Sequence, residues 1–269
     1  MPDNNKHIVT LNFSQEELLT LVQSLGAETM LGLGNDPFGS LSDEQIKLLK
    51  SSAQRSMLAR GYLVITDENV LAIDSVVRNI INICIKPQHF VVLISRVPDD
   101  KESVVESYYL VPDLTVEHVK PYPGIHNLVV QKTRLDIKQI VLSKLSSITF
   151  EKKDDIQFTV AQIVLLAAQD EAVKDKAKAL EILIKGEVNK SHAELFVDSL
   201  AKTELRFMVH LAYSSITEGG NQTLTFMCGQ HKCWMIRGLE VAGADSPIQV
   251  ELASLDMITQ TLGTFFVAL

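Results

Sequence analysis

The feature that most constrains this chain is a pattern met twice: a helix feeding an apolar strand, two or three further strands, and a capped helix that closes the unit. The first copy runs from about Val70 to Leu145 and the second from about Ser191 to the C-terminus. The central strand of the first is the continuous apolar run Phe90–Ser95, of the kind a strand buried on both faces carries, and that of the second is Leu205–Tyr213. Phe90 to Thr133 and Phe207 to Ser254 span nearly the same length of chain. The expected fold class is therefore α+β, with two structurally related halves, pseudo-two-fold symmetry, and antiparallel sheets covered by helices. Residues 1–150 form the first half, a helical N-terminus followed by a sheet and a capping helix. Residues 151–269 form the second, helices followed by a sheet and a C-terminal helix, with the charged stretch Glu151–Asp155 as the seam.

Local signals place the elements. Ser14 with Glu17, and Ser42 with Gln45, are capping boxes, in which a hydroxyl and a side chain three residues on satisfy each other's free backbone donors. Leu18, Leu21, Val22 and Leu25 then share one face, and Gly26 is placed to stop that helix; Gly61 does the same after Arg60. Tyr62–Ile65 reads as a short strand, and Val70, Ile73, Val77, Ile80, Ile81 and Cys84 as the face of a third helix that Pro87 ends. Ser107–Val111, Leu114–Lys120 and Ile125–Gln131 alternate as strands, and Thr133 with Asp136 caps a helix. Beyond the seam, helices are expected over Phe158–Gln169, Lys174–Lys185 and Ser191–Lys202. Strands follow at Thr223–Cys228, Trp234–Leu239 and Ile248–Leu252, and Ser254 caps the last helix.

Composition narrows the function. A net charge of -8 repels phosphate backbones, so nonspecific nucleic-acid binding is disfavoured. No apolar run reaches the roughly 20 residues needed to span a bilayer, and Met1–Asn12 lacks a signal-peptide core. Three cysteines in a chain of 269 residues make no disulfide framework, and a cytoplasmic location is the default.

The chemistry-bearing residues do not assemble into a reacting set. Cys228-Gly-Gln-His231-Lys-Cys233 offers zinc-type ligands, but a closed site needs four and the two cysteines read as small apolar residues at the ends of a hairpin. Gly32-x-Gly34 lacks the strand and the Lys-Ser/Thr of a phosphate loop and reads as an interhelical loop. His118 and His126 meet across a hairpin if both face the same side, where general-base or ligand work is conceivable; each reads first as a satisfied strand histidine. No catalytic residue, metal or cofactor is expected. Ser42–Ile65 has the outline of a winged helix-turn-helix, with Lys47, Lys50, Arg55 and Arg60 along it, offset by Asp43, Glu44, Asp67 and Glu68. The loop Val97–Glu106 is longer than a hairpin needs, and it mixes acids with apolar residues as a docking edge does: Val97, Asp99, Asp100, Val104, Val105 and Glu106 are the candidate partner-binding residues.

Three stretches give the chain a family likeness: the helix Leu18–Gly26 ending in Leu-Gly; Gln54-Arg55-Ser56 leading through Leu58-Ala59-Arg60-Gly61-Tyr62-Leu63-Val64 into Leu71–Ile83 and the strand from Phe90; and the tail from Trp234 through Ile248 to the helix Leu255–Phe266. In this order the chain resembles the EspG family of type VII (ESX) secretion-associated chaperones. The resemblance implies a quasi-two-fold α/β fold without enzymatic activity, binding the helical tip of a secreted heterodimer in the cytosol, and Val97–Glu106 is the segment that maps onto that family's binding loop. The expectation is a non-catalytic cytosolic adaptor or chaperone with a helical protein partner. The alternatives are a winged-helix DNA-binding regulator, or an enzyme acting on a small molecule between the halves through His118 or His126.

Overall fold

The computed structural model describes residues 7–33, 38–96, 103–131, 135–145, 156–200, 202–213, 222–229, 231–238 and 246–266. The chain divides into two compact units, one built from residues 1–92, 105–135 and 211–220, the other from 93–104, 136–210 and 221–269. Helices and antiparallel strands are mixed in both, an α+β fold.

In chain order the first set of elements is β1 (His7–Ser14), α1 (Gln15–Ser24), α2 (Asp43–Ala59), the ribbon β2 (Leu63–Ile65) and β3 (Leu71–Ile73), α3 (Ser75–Ile85), then β4 (His89–Arg96), β5 (Val104–Val111), β6 (Leu114–Tyr122), β7 (Ile125–Gln131) and α4 (Ile137–Leu145). The second set is β8 (Gln157–Ala161), α5 (Gln162–Ala172), α6 (Lys176–Lys185), α7 (Lys190–Leu200), β9 (Leu205–Tyr213), β10 (Gln222–Gly229), β11 (Lys232–Gly238), β12 (Pro247–Leu252) and α8 (Leu255–Phe265). The strand orders are β1-β7-β6-β5-β4 and β8-β12-β11-β10-β9. Each set is thus a strand, three helices, a four-strand run and a closing helix, and in each the leading strand pairs antiparallel with the last strand of the run. The duplication read from the helix-then-strands pattern is deeper than that pattern, because it includes β1 and β8.

Three sequence expectations are corrected. Val9, Leu11 and Phe13 alternate inward along β1, a strand where none was expected. Phe158 and Val160 belong to β8, not to a helix over Phe158–Gln169: they stand opposite Val250 and Ile248 of β12, and the helix begins only at Gln162. Val70 and Ile73 precede α3. Asp74 caps that helix, its Oδ1 accepting from the Val76 and Val77 amides at 2.9 and 3.2 Å, so the helix starts at Ser75 and Ile73 pairs with Leu63 in the ribbon.

Both predicted capping boxes form, and Gly26 and Gly61 follow their helices at φ +82° and +75°, backbone that only glycine adopts without strain. Glu17 does more than cap. Buried, it accepts from the Ser14 amide and forms an ion pair with Arg60, whose other amine donates to the Asn12 carbonyl at 2.7 Å while its guanidinium lies 4.7 Å from the Tyr62 ring centre. The end of α2 is thereby tied to β1 and α1.

In the first unit α1 and α3 bury Leu18, Val22, Ile81 and Cys84 against the sheet residues Phe13, Val116 and Leu128. In the second, α5 to α7 cover a sheet face around Trp234, whose ring meets Phe196 edge-on at 5.0 Å and Phe158 at 6.3 Å.

Candidate functional site

Strand parity builds an open groove in the second unit. Along β9, Phe207 and Val209 are buried on one face, which turns Arg206 and Met208 to the other. On β10, Leu224 and Phe226 are buried while Thr223 and Thr225 flank a cavity of about 660 Å³, with Met227, Ile236 and Ile248 beside them. α5 forms a wall: Ala168 goes into the core, whereas the buried Leu165 and the 51% exposed Leu166 both line this groove and Ile163 is 57% exposed. The surface is concave and, by area, mostly apolar, the kind that marks an interaction site.

Polar side chains interrupt it, among them Arg96, Arg206, Gln162 and Gln169. The Gln169 amide donates to the Met227 sulfur at 3.5 Å. The His210 ring bonds the Thr223 hydroxyl at 2.8 Å. Arg206 is half-buried; burial and the like charge of Arg96 push its pKa down, and Asp170 partly opposes them.

The residues on either side of the expected docking loop line this groove. Val97, Asp99 and Asp100 lie outside the described residues, but Arg96 and Ser103, on either side of residues 97–102, both line the groove. Val104 and Val105 follow at the start of β5, 57% and 39% exposed, and Glu106 is half-buried. Sequence reasoning singled out the loop by its length and did not anticipate Leu166, Met208 and Thr225, which share a surface only once distant strands have paired beside α5.

The two histidines do meet. His118 stands opposite Leu128 in the β6–β7 register, which puts His126 diagonally across on the same face, and His118 Nε2 lies 2.8 Å from His126 Nδ1. Tyr109 donates its hydroxyl proton to the Leu31 carbonyl, so it must accept at 3.1 Å from His118 Nδ1–H. His118 Nε2 is then the acceptor for His126 Nδ1–H, and His126 Nε2 is left buried as a bare nitrogen with no hydrogen-bond partner among the described residues. Both rings are neutral by this logic. Burial, then His126 and Lys120, lower the His118 pKa to about 3; burial and Lys120, against a smaller opposing effect of Glu16, lower that of His126 to about 4. Gly32, at φ +77°, passes over this chain so closely that a Cβ there would stand 3.1 Å from Ser107 Oγ and 3.3 Å from the Tyr109 hydroxyl. Neither histidine lines the groove or the other cavity of about 650 Å³, bounded in the first unit by Leu31, Pro87, Phe90 and Val111. The pair is a buried, neutral, hydrogen-bonded link between β6, β7 and Tyr109 of β5.

Cys228 and Cys233 face each other, buried, across the β10–β11 hairpin, while His231 is exposed in its turn. Among the described residues no three His, Cys, Asp or Glu side chains are grouped to hold a metal ion, and no helix is long and apolar enough to cross a membrane. On the winged-helix outline, the β2–β3 ribbon does follow α2, but Arg60 is engaged by Glu17 and Lys50 lies over the Phe38 ring at 5.6 Å. That leaves Lys47 and Arg55 of the basic residues expected to read phosphate.

Comparison with known proteins agrees with this architecture. The Mycobacterium tuberculosis type VII secretion system chaperone EspG5, solved in complex with a PE25–PPE41 dimer, superposes with a TM-score of 0.57 over 94% of each chain at 10% sequence identity, a likeness of fold. No curated protein matches the chain. A family model described as "Uncharacterised protein YfjC" matches residues 10–262. The chain belongs to the YfjC family.

Proposed function

We propose that this protein is a non-catalytic, cytoplasmic protein-binding adaptor or chaperone whose partner presents a helix or helix pair, as EspG-type chaperones do for secreted substrates. The observation that carries this reading is the apolar groove of the second unit, with Leu166 exposed on its wall and Arg96 and Ser103, the residues on either side of 97–102, in its lining. A fold shared with a chaperone solved on a protein dimer supports it as well. In this reading residues 1–150 and 151–269 are the two domains. Val97, Asp99, Asp100, Val104, Val105 and Glu106 form the docking edge beside the groove. The valines are the apolar part, and burying such surface contributes about 25 cal/mol per Å². The acids set the partner's orientation and its rate of arrival more than its affinity.

The test is substitution at the edge. Val104→Asp with Val105→Asp should weaken capture of the partner from host lysate by about tenfold or more, equal to about 1.4 kcal/mol per tenfold. The circular dichroism spectrum and melting temperature should not change, because both side chains are exposed in the free protein. Undiminished capture would move the site away from this edge. Recovery of no stoichiometric protein from fresh low-salt lysate by the unaltered protein would remove the adaptor reading itself.

A further inference from the structure

Cys228 and Cys233 occupy directly opposed positions on β10 and β11, one residue pair in from the end of the hairpin. The backbone decides which kind of pair this is. In an antiparallel strand the N–H and C=O of one residue point to the same side. The Cys228 carbonyl accepts from the Glu204 amide at 2.8 Å, and the Cys233 carbonyl accepts from the Ala253 amide at 2.8 Å. Both residues therefore direct their backbone groups outward, away from each other, so theirs is a non-hydrogen-bonded pair. That is the narrower of the two antiparallel pairings, with Cα atoms about 4.5 Å apart and side chains closest. The spacing falls inside the range a disulfide spans. Both thiols are fully buried on the same face, and Sγ touches Sγ at 2.7 Å. The remaining cysteine, Cys84, is buried elsewhere, in the core of the first unit.

We infer that Cys228 and Cys233 are a dithiol–disulfide pair that forms a reversible cross-strand bond with a low-molecular-weight disulfide as oxidant. The exchange takes two steps. One cysteine thiolate attacks a sulfur of glutathione disulfide, that S–S bond breaks, and one glutathione thiolate leaves. The second cysteine thiolate then attacks the protein sulfur of the mixed disulfide and expels the other glutathione. The pair loses two electrons to the glutathione, and its two protons end on the released thiols. Burial and the neighbouring Cys228 thiol push Cys233 well above the ordinary thiol range, so exchange waits on opening of the hairpin end at Gly229–Lys232. Thr225, Met227 and Ile236 of the same hairpin flank the groove, so the bond fixes one side of that surface. The inference stands whether or not the groove binds a protein.

The test equilibrates the full-length protein in glutathione buffers of graded ratio, folded and in urea, and counts thiols by alkylation and mass spectrometry. The folded protein should lose two thiols, with peptide mapping giving Cys228–Cys233 and leaving Cys84 alkylated. The equilibrium constant for closing the bond should be at least tenfold larger folded than in urea, and the melting temperature should rise by several degrees on oxidation. Cys84→Ser should keep all three results, and Cys233→Ser should lose them. An equilibrium constant equal to or smaller than that in urea, or stable glutathione adducts on the single cysteines in place of the bond, would overturn the inference. The comparison with urea is made at equilibrium, so slow access to buried thiols does not bear on it.

Discussion

Replacing Trp234 with alanine is expected to destabilise the protein by about 3–5 kcal/mol, the cost of emptying a large aromatic site in a packed core. Its side chain is fully buried and joins Phe158 of β8 and Phe196 of α7 at 6.3 and 5.0 Å, so the cavity opens where the sheet, its edge strand and the helical cover all converge. Few domains have more than 5–15 kcal/mol to lose. Trp234→Phe should recover most of the loss, because the indole Nε1 is buried without a hydrogen-bond partner among the described residues and its removal lifts a desolvation penalty. Urea unfolding followed by circular dichroism measures both, since Trp234 is the chain's single tryptophan and its fluorescence disappears with it. A loss below about 1 kcal/mol for Trp234→Ala would mean that β8, α7 and β11 do not share a core.

Acidification should bring the second large effect. The His118 and His126 pKa values lie near 3 and 4 in the folded protein, against 6.5 for an unperturbed ring. The folded state therefore binds fewer protons than the unfolded chain across that interval. Stability is fully present above about pH 6.5 and falls as pH drops toward the folded values, by at most about 1.4 kcal/mol per pH unit for each ring. At pH 5 the two together cost up to about 4 kcal/mol. The double variant His118→Leu with His126→Leu removes both titrating groups and leaves Tyr109 its bond to the Leu31 carbonyl. Its stability should fall much less between pH 7 and pH 5 than that of the parent, the remainder coming from groups such as His210, whose pKa burial also lowers. Parallel profiles for the two proteins would show that the pair is not what titrates.

What could be read from sequence was local. The capping boxes at Ser14 and Ser42, the Ser254 cap and the stops at Gly26 and Gly61 each involve residues within one turn of one another. The meeting of His118 and His126 needed only a hairpin. What escaped depends on partners far along the chain. β1 is stabilised by β7, with His7 opposite Gln131, and its Val9-Leu11-Phe13 alternation is too short to stand out alone. Phe158 and Val160 run directly into the apolar residues of α5, so the period of two is hidden against a helix that follows without a break. Val70, Ile73 and Val77 carry helical spacing across a boundary that only the Asp74 cap reveals. The groove was illegible for a related reason. Thr223, Met208 and Ile248 come from three strands and share a surface only after β9, β10, β11 and β12 have paired. The loop at 97–106 drew attention by its length, yet that its flanks Arg96 and Ser103 line a cavity is a tertiary fact.

The most direct measurement is hydrogen exchange on the full-length protein alone and in complex with its stoichiometric partner. A docked helix should slow exchange at residues 162–169 of α5, at 223–227 of β10 and at Ser103–Val104, while the buried strands around His118 exchange as before. Slowing confined to other surfaces, or a partner that leaves every amide at its free rate, would contradict a binding surface at this groove.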